Sequence, residues 1–401
     1  MKLLDRLGFG RKQSVWERWL ELMDMGAKSK SGPSVTRENV WRVSAAMACM
    51  AVRARGMAQV PFKLFQETEE GGLKRIRQAR EHALFDKLAA RPNSWQTSYE
   101  FREQLELHLC LGNAFVFKNF YRDKVEELFI LKNVRAEQQE DMSTRYWVRS
   151  KNGEEREVPA KNIWHLRGLS WDGFMGMDTL NMAREALGLS MALENTAASL
   201  HANGVRPTGT YSVDGQLSKD QHASLVAWLK KNATEPGTPL VIDRNAKWLS
   251  QAMTSVDAQH KEMRDQQIAE VCRFFGVLPI MIGHTGDKAN TYASAEAMFT
   301  AHKVHTLAPE YTRIQESADV NLLTDKERAQ GYYFKFVVSA LSWASLKDQG
   351  EYFAKSLGSG GSPAWHTQDE IRAFLEFDAM GGDAAKLPVA TNTPATAPAS
   401  P

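Results

Sequence analysis

The chain has 401 residues, 43% of them hydrophobic and 24% charged, enough apolar material for one large domain or two to three smaller ones. A formal net charge of only +2 excludes a small domain that grips many phosphates, so any DNA contact is local or the DNA slides past without being held. The three cysteines, Cys49, Cys110 and Cys272, are far apart and form no CxxC pair; this argues against a zinc site and a disulfide framework and fits buried thiols in a reducing cytoplasm. No apolar run reaches the roughly 18 residues of a membrane span, and Met1–Gly10 lacks the apolar core of a signal peptide.

In chain order, Ser14–Met25 is amphipathic, with Trp16, Trp19, Leu20 and Met23 on one side. With the linker Lys28–Pro33 it reads as an arm that docks on a neighbour or stays loose. Thr36 is placed to cap a helix whose apolar positions are Val40, Val43, Met47, Met50, Ala54 and Met57, ahead of Pro61. Phe62–Gln66 reads as a strand, and the charged stretch Glu67–Arg80 turns at Gly71-Gly72. Thr97-Ser-Tyr-Glu100 is a capping box opening a helix with Phe101, Leu105 and Leu109 on one face, stopped at Gly112-Asn113. Strands follow at Ala114–Phe120, Glu127–Leu131, Tyr146–Arg149 and Ile163–Leu166.

Asp178–Ala202 is expected to be helical, ending at Asn203-Gly204. Thr208–Val213 is a strand, and Ser218-Lys-Asp-Gln221 caps a helix to about Lys231. Leu240–Ile242 and Lys247–Leu249 read as a hairpin. Two strongly helical stretches then flank a short loop around Pro279. The first carries Ile268, Val271, Cys272 and Phe275 on one face. The second, from about Tyr292 to Leu323, would run roughly 48 Å if unbroken, with Pro309 expected to bend it or mark a junction. Helices that long cannot bury both faces against each other, so they need neighbours. Tyr332–Val338 is a β-run, Leu341–Leu357 a helix, and Gly358–Ser362 flexible. Thr367-Gln-Asp-Glu370 caps a helix ending at Gly381-Gly382, before a Pro/Ala/Thr-rich tail expected to be disordered.

No catalytic motif stands out. Gly283-His-Thr-Gly286-Asp-Lys288 has the wrong spacing for a phosphate loop and reads as a polar connection. His302 and His305 share a helix face without a third ligand nearby, so no metal is expected. His165 reads as a satisfied core residue, and Val116–Arg122, with its interleaved aromatic and basic residues, as one strand of an ordinary sheet rather than a stacking surface for nucleic acid.

A set of short segments carries a resemblance over about residues 36–383. It begins with Ala48-Cys49, Val60-Pro61-Phe62 and Arg91-Pro92-Asn93. Leu111-Gly112-Asn113-Ala114-Phe115-Val116, Ile163-Trp164-His165-Leu166-Arg167, Trp171-Asp172-Gly173 and Gly176 follow. Asn203-Gly204-Val205-Arg206-Pro207, Ile268-Ala269, Phe274-Phe275-Gly276-Val277-Leu278-Pro279, Tyr292-Ala293-Ser294 with Glu296, Thr367–Arg372 and Gly381-Gly382-Asp383 complete it. In this order they resemble the portal proteins of long-tailed bacteriophages, of the lambdoid siphophage type. Leu278, where a proline is more usual, and Gln368-Asp369, where an Asn commonly precedes the Glu, depart from the pattern.

The resemblance implies an α+β portal fold in a twelve-subunit ring, with no catalytic, cofactor or metal site. It implies an N-terminal arm at 1–35, a wing at 36–254, stem helices at 255–276 and 292–325, and a clip at 277–291. A wing return strand at 326–340, a channel segment at 341–358, a small helical crown at 359–385 and the tail at 386–401 complete the division. Lys347 and Lys355 are then candidates for the DNA channel, and Pro279, His284, Asp287 and Lys288 for docking the terminase. Implied partners are further copies of the chain, double-stranded DNA, the terminase large subunit, the major capsid protein and head-completion or adaptor proteins, with no membrane. The implied location is the portal vertex of the virion, after assembly in the host cytoplasm. Two other classes remain as alternatives: a DNA-processing nuclease, and another structural head–tail adaptor.

Overall fold

The computed structural model describes residues 28–70, 73–122, 124–150, 153–202, 209–212, 218–220, 222–224, 247–250, 256–284, 292–338, 346–359, 363–375 and 377–388. The chain divides into two compact units at Lys335/Phe336.

The first unit is built around one helix, α1 (Ser44–Ala58). Ala45, Ala46, Cys49, Met50, Ala54, Gly56, Met57 and Ala58 are all buried, so small residues on several of its sides let neighbours approach from more than one direction. Thr36 does not cap it. Thr36 and Asn39 instead bond each other's backbone N–H groups (2.8 and 3.3 Å), and a 3-10 turn, Val40–Arg42, intervenes before the helix opens at Val43. That local turn satisfies the side chain that would otherwise have served the helix.

Strand β1 (Phe62–Glu70) forms an antiparallel hairpin with β2 (Leu73–Gln78), in a sheet of order β11-β1-β2 with β11 (Tyr332–Phe336). A short helix that the sequence pattern does not announce, α2 (Ala83–Ala89), follows; the His82 ring accepts from Leu84 N at 3.2 Å to cap it. The capping box at Thr97 is present in full, and α3 (Ser98–Cys110) buries Phe101, Leu105 and Leu109 as its spacing predicts. Next come β3 (Asn113–Tyr121) and β4 (Lys124–Leu131), which with β8 (Ile163–Arg167) make a sheet of order β4-β3-β8. Between them β5 (Val134–Gln138), β6 (Thr144–Arg149) and β7 (Glu155–Val158) form an antiparallel meander; β5 and β7 are too polar to be read from the sequence.

The expected Asp178–Ala202 helix is split. Asp178 caps a single turn, α4 (Thr179–Met182), and α5 (Arg184–Ala202) continues beyond Ala183. Strand β9 (Gly209–Ser212) pairs antiparallel with β10 (Lys247–Ser250); the expected partner 240–242, the stop at Asn203-Gly204 and most of the Ser218 helix lie outside the described residues. Helix α6 (Val256–Phe275) precedes the Pro279 loop. After it, α7 (Tyr292–His302), a π-helical turn (Lys303–Leu307) and α8 (Ala308–Leu322) run in sequence. The π turn sits just before Pro309, whose missing N–H breaks the helical ladder there. Helix α9 (Asp325–Ala329), capped by Thr324, leads to β11.

Two polar core residues match expectation in part. His165 is a satisfied core residue: its Nε2 meets Asn113 Oδ1 at 2.9 Å, its ring stacks on Phe115, and burial holds its pKa down to about 3, so it is neutral. Lys118 lies within an ordinary strand but is buried, its Nζ donating to the Asn321 carbonyl at 2.7 Å near the C-terminal end of α8. A cation there complements the carbonyl end of the helix.

The linker Lys28–Pro33 is not loose in this structure. Lys28 bridges Ser34, Ser29 is buried, and Lys30 N donates to Glu185 at the start of α5 (3.0 Å). Gly188 makes room for it, since a Cβ there would overlap the Ser29 hydroxyl. The amphipathic stretch 14–25 lies outside the described residues.

In the second unit, α10 (Leu346–Ser356) and α11 (Gln368–Phe374) are the regular helices, and Thr367 forms the expected capping box. The helix stops at Phe374, not at Gly381-Gly382. The Asp369 carboxylate, in its first turn, accepts from Met380 N (2.7 Å) and Gly381 N (2.9 Å), which folds 377–381 back instead of continuing the helix. Most of the expected tail lies outside the described residues.

Removing the Thr97 hydroxyl (Thr97→Ala) is expected to cost about 1 kcal/mol in urea unfolding. Gly176→Ala is expected to cost about 3 kcal/mol, because its Cβ would overlap the Gly112 carbonyl oxygen.

Candidate functional site

The region expected to carry function is the set of helices around residues 184–322. Helices α5 and α6 pack together. Leu187, early in α5, shares one buried cluster with Val271, Cys272 and Phe275, late in α6, so the two helices run antiparallel with one end rooted in the core. Burial falls away from that root. Leu187 is fully buried and Met191 half-buried, while Glu194, Asn195 and Thr196 are exposed. On the partner helix Phe275 is buried and Ile268 half-buried, and Met263 is 42% exposed. The outer ends lead to β9 and β10, which pair with each other. Exposed apolar side chains continue on the other long helical run at Phe299 (51%) and Val304.

One guanidinium fixes the root. Arg53, on α1, donates from Nε to Glu106 Oε1 of α3 (2.9 Å), from one terminal nitrogen to the Phe275 carbonyl that ends α6 (3.1 Å), and from the other to Glu310 Oε1 of α8 (3.2 Å). Glu310 also holds Arg313 at 2.6 Å. Glu106 is fully buried, and Cys110 donates to it at 3.6 Å. Its burial, working against the attraction of Arg53, pushes the carboxyl up to about 7. Beside this group Tyr311 donates to the Gly56 carbonyl at 2.7 Å, and a Cβ on Gly56 would press on Leu307 of the π turn.

The residues singled out from the sequence divide between the two units. Pro279 opens a 3-10 turn, Pro279–Ile282, closed by Gly283 in the left-handed region (φ 80°). This turn lies against the body: Val277 is 4% exposed within the core cluster, and Met281 and Ile282 pack on it. His284 Nε2 is 3.9 Å from Asp265 Oδ1 of α6. Asp287 and Lys288 lie outside the described residues. In the second unit, Lys355 is exposed in the last turn of α10; Lys347 belongs to the same helix, but its side chain lies outside what the structure describes. His302 is buried and its burial lowers its pKa, while His305 lies in the π turn; among the described residues no group of three or more His, Cys, Asp or Glu is arranged to hold a metal. No described helix is long and apolar enough to cross a membrane. Sequence reasoning missed Arg53, Glu106 and Glu310 altogether, because they are scattered over three helices.

Replacing Arg53 with Met is expected to cost about 3–5 kcal/mol, since it strands the buried Glu106 carboxylate. The raised pKa of Glu106 means that the folded state holds its proton more tightly than the unfolded chain does. Its contribution to stability is therefore complete below about pH 4.5 and is lost as pH rises through about 7. Glu106→Gln should flatten that decline, which paired urea melts of the two proteins at pH 4.5 and 7.5 will register.

A family model described as phage portal protein matches residues 44–376. The portal protein of Enterobacteria phage HK97 is 24% identical over 306 residues, covering 73% of this chain and 70% of that protein. Among solved structures, an HK97 family phage portal protein from Corynebacterium diphtheriae superposes with a TM-score of 0.55 at 16% identity, covering 77% of this chain and 96% of that one. A chain from the neck of a native gene transfer agent particle, computed with C12 symmetry, superposes with a TM-score of 0.54 at 19% identity, covering 89% and 98%. The match to the family model over residues 44–376, most of its length, with a mixed helix-and-sheet fold that superposes on solved portal structures, places this chain in the phage portal protein family.

Proposed function

We propose that this portal-family chain works as one subunit of a ring, twelve copies around an axis at one capsid vertex, through which double-stranded DNA enters and leaves. The observation that carries this reading is the loss of burial along α5 and α6 away from their root, with Met263, Phe299 and Val304 left in solvent by the chain's own fold. Copies of the same subunit packed side by side would cover such helices, and the twelvefold neck that contains a similar chain supports that number. A net charge of +2 suits a passage: each neutralised phosphate adds salt-dependent affinity, so a strongly basic lining would hold the duplex rather than pass it. The family is a structural one, and its match does not favour a DNA-processing nuclease.

In this reading the terminase large subunit, the major capsid protein and the head-completion proteins dock on the ring, and the exposed Lys355 and its helix neighbour Lys347 guide DNA at a constriction. The partner-facing end has two candidate positions. One is 277–291, with Pro279, His284, Asp287 and Lys288 as a clip between stem helices 255–276 and 292–325. The other is 203–255, the stretch between α5 and α6, with those two helices as the stem. The packing of Val277, Met281 and Ile282 against the core favours the second, because a projecting clip would not be rooted in the interior of the body.

Electron microscopy of the purified chain should show rings with a central hole; a compact monomer at high concentration would overturn the proposal. Lys347→Glu and Lys355→Glu should leave the ring assembled while altering packaging or retention of DNA. Charge reversal at Lys230 and Lys231 should weaken capture of the terminase if 203–255 faces it, and reversal at Lys288 if 277–291 does.

A further inference from the structure

Cys49 of α1 and Cys272 of α6, far apart in sequence, meet inside the core with their sulfurs 3.7 Å apart. Both are buried, at 0% and 1% exposure, in the cluster that holds Met50, Leu187, Val271 and Phe275. The third thiol, Cys110, lies in the same buried cluster but donates to Glu106. Cys272 stands on α6, whose far end leaves the body, so it is the sulfur that an oxidant meets first when that helix opens locally; Cys49, on the central helix, is the resolving partner.

We infer that Cys49 and Cys272 form an oxidative modification site, a dithiol that a hydroperoxide converts to an intramolecular disulfide tying α6 to α1. In the first step the Cys272 thiolate attacks one oxygen of hydrogen peroxide. The O–O bond breaks, hydroxide leaves, and a sulfenic acid remains on Cys272. In the second step the Cys49 sulfur attacks the Cys272 sulfur: the S–S bond forms, the S–O bond breaks, and the hydroxyl departs with the Cys49 proton as water. Over both steps two thiols lose two protons and two electrons, and one peroxide becomes two waters. The sulfurs close from 3.7 Å to the roughly 2.05 Å of a disulfide by side-chain rotation and a small shift of α6. Their burial makes the reaction wait on local opening of α6, so the bond forms slowly and, once formed, is shielded from reductants. It fastens the rooted end of α6 to the central helix beside the contact Arg53 already makes there.

The test uses the full chain, freed of reductant and treated with millimolar hydrogen peroxide. It is then denatured in N-ethylmaleimide and digested without reduction for mass spectrometry. The expected product is a Cys49–Cys272 linked peptide from a chain that still migrates as a monomer under denaturing conditions, with Cys110 alkylated. The melting temperature should rise by several degrees and return on reduction. Cys110→Ser should still form the link, whereas Cys49→Ser should leave Cys272 as a sulfenic acid that dimedone traps. The inference is overturned if both thiols remain alkylatable after prolonged exposure, if Cys272 passes to sulfinic acid without a link, or if Cys110 is the residue joined.

Discussion

The guanidinium of Arg53 is the constraint around which the rest of the larger unit is arranged. It stands on the central helix and reaches three other helices at once: the carboxylate of Glu106, the carboxylate of Glu310 and the terminal carbonyl of the helix ending at Phe275. An arginine suits this position because its planar fork offers several donors at fixed angles, where an ammonium would offer one mobile charge. Buried charge is costly and the net energy of such a group is small; what it secures is geometry. Apolar side chains alone would let the helices slide by a fraction of a turn, whereas three directed hydrogen bonds admit one arrangement.

The same economy recurs elsewhere in the interior. Lys118 spends its charge on the carbonyl end of a helix, Trp164 donates its indole N–H to Ser317, and His165 is held between Asn113 and Tyr146. The first two tie a strand of the β4-β3-β8 sheet to α8, and the third ties β8 to β3 and to β6 of the meander, each by a polar side chain placed among apolar ones. The sheet and the helices on it thereby share a fixed register, and the long helices inherit their direction from a body that does not yield.

Much of this architecture was legible in the sequence wherever the signal is local. The capping boxes at Thr97 and Thr367 announce helices because the residues that close them lie within one turn. The strands at Ala114 and Ile163 declare themselves through apolar runs. What was illegible depends on partners distant in the chain. The polar strands at Val134 and Glu155 exist only because Thr144–Arg149 pairs with both, and the helix from Gln368 ends early because Asp369 captures amides more than ten residues on. The candidate site shows the same division: the long helices followed from periodicity, while Arg53, Glu106 and Glu310 became a unit only when three helices met. The resemblance supplied the family because it depends on the order of many short segments, none of which needs contact information.

The π-helical turn at Lys303–Leu307 fixes how the helix before it faces the outside. An α-helix turns about 100° per residue, so the extra residue held in that wide turn sets the rotational phase of Tyr292–His302 against the anchored Ala308–Leu322. Loss of one residue there would swing Phe299 and its neighbours by more than a quarter of a circle relative to Ala308–Leu322. Descendants of this chain thus hold a means of re-aiming an outward surface in one mutational event, a route that the gradual exchange of side chains does not offer.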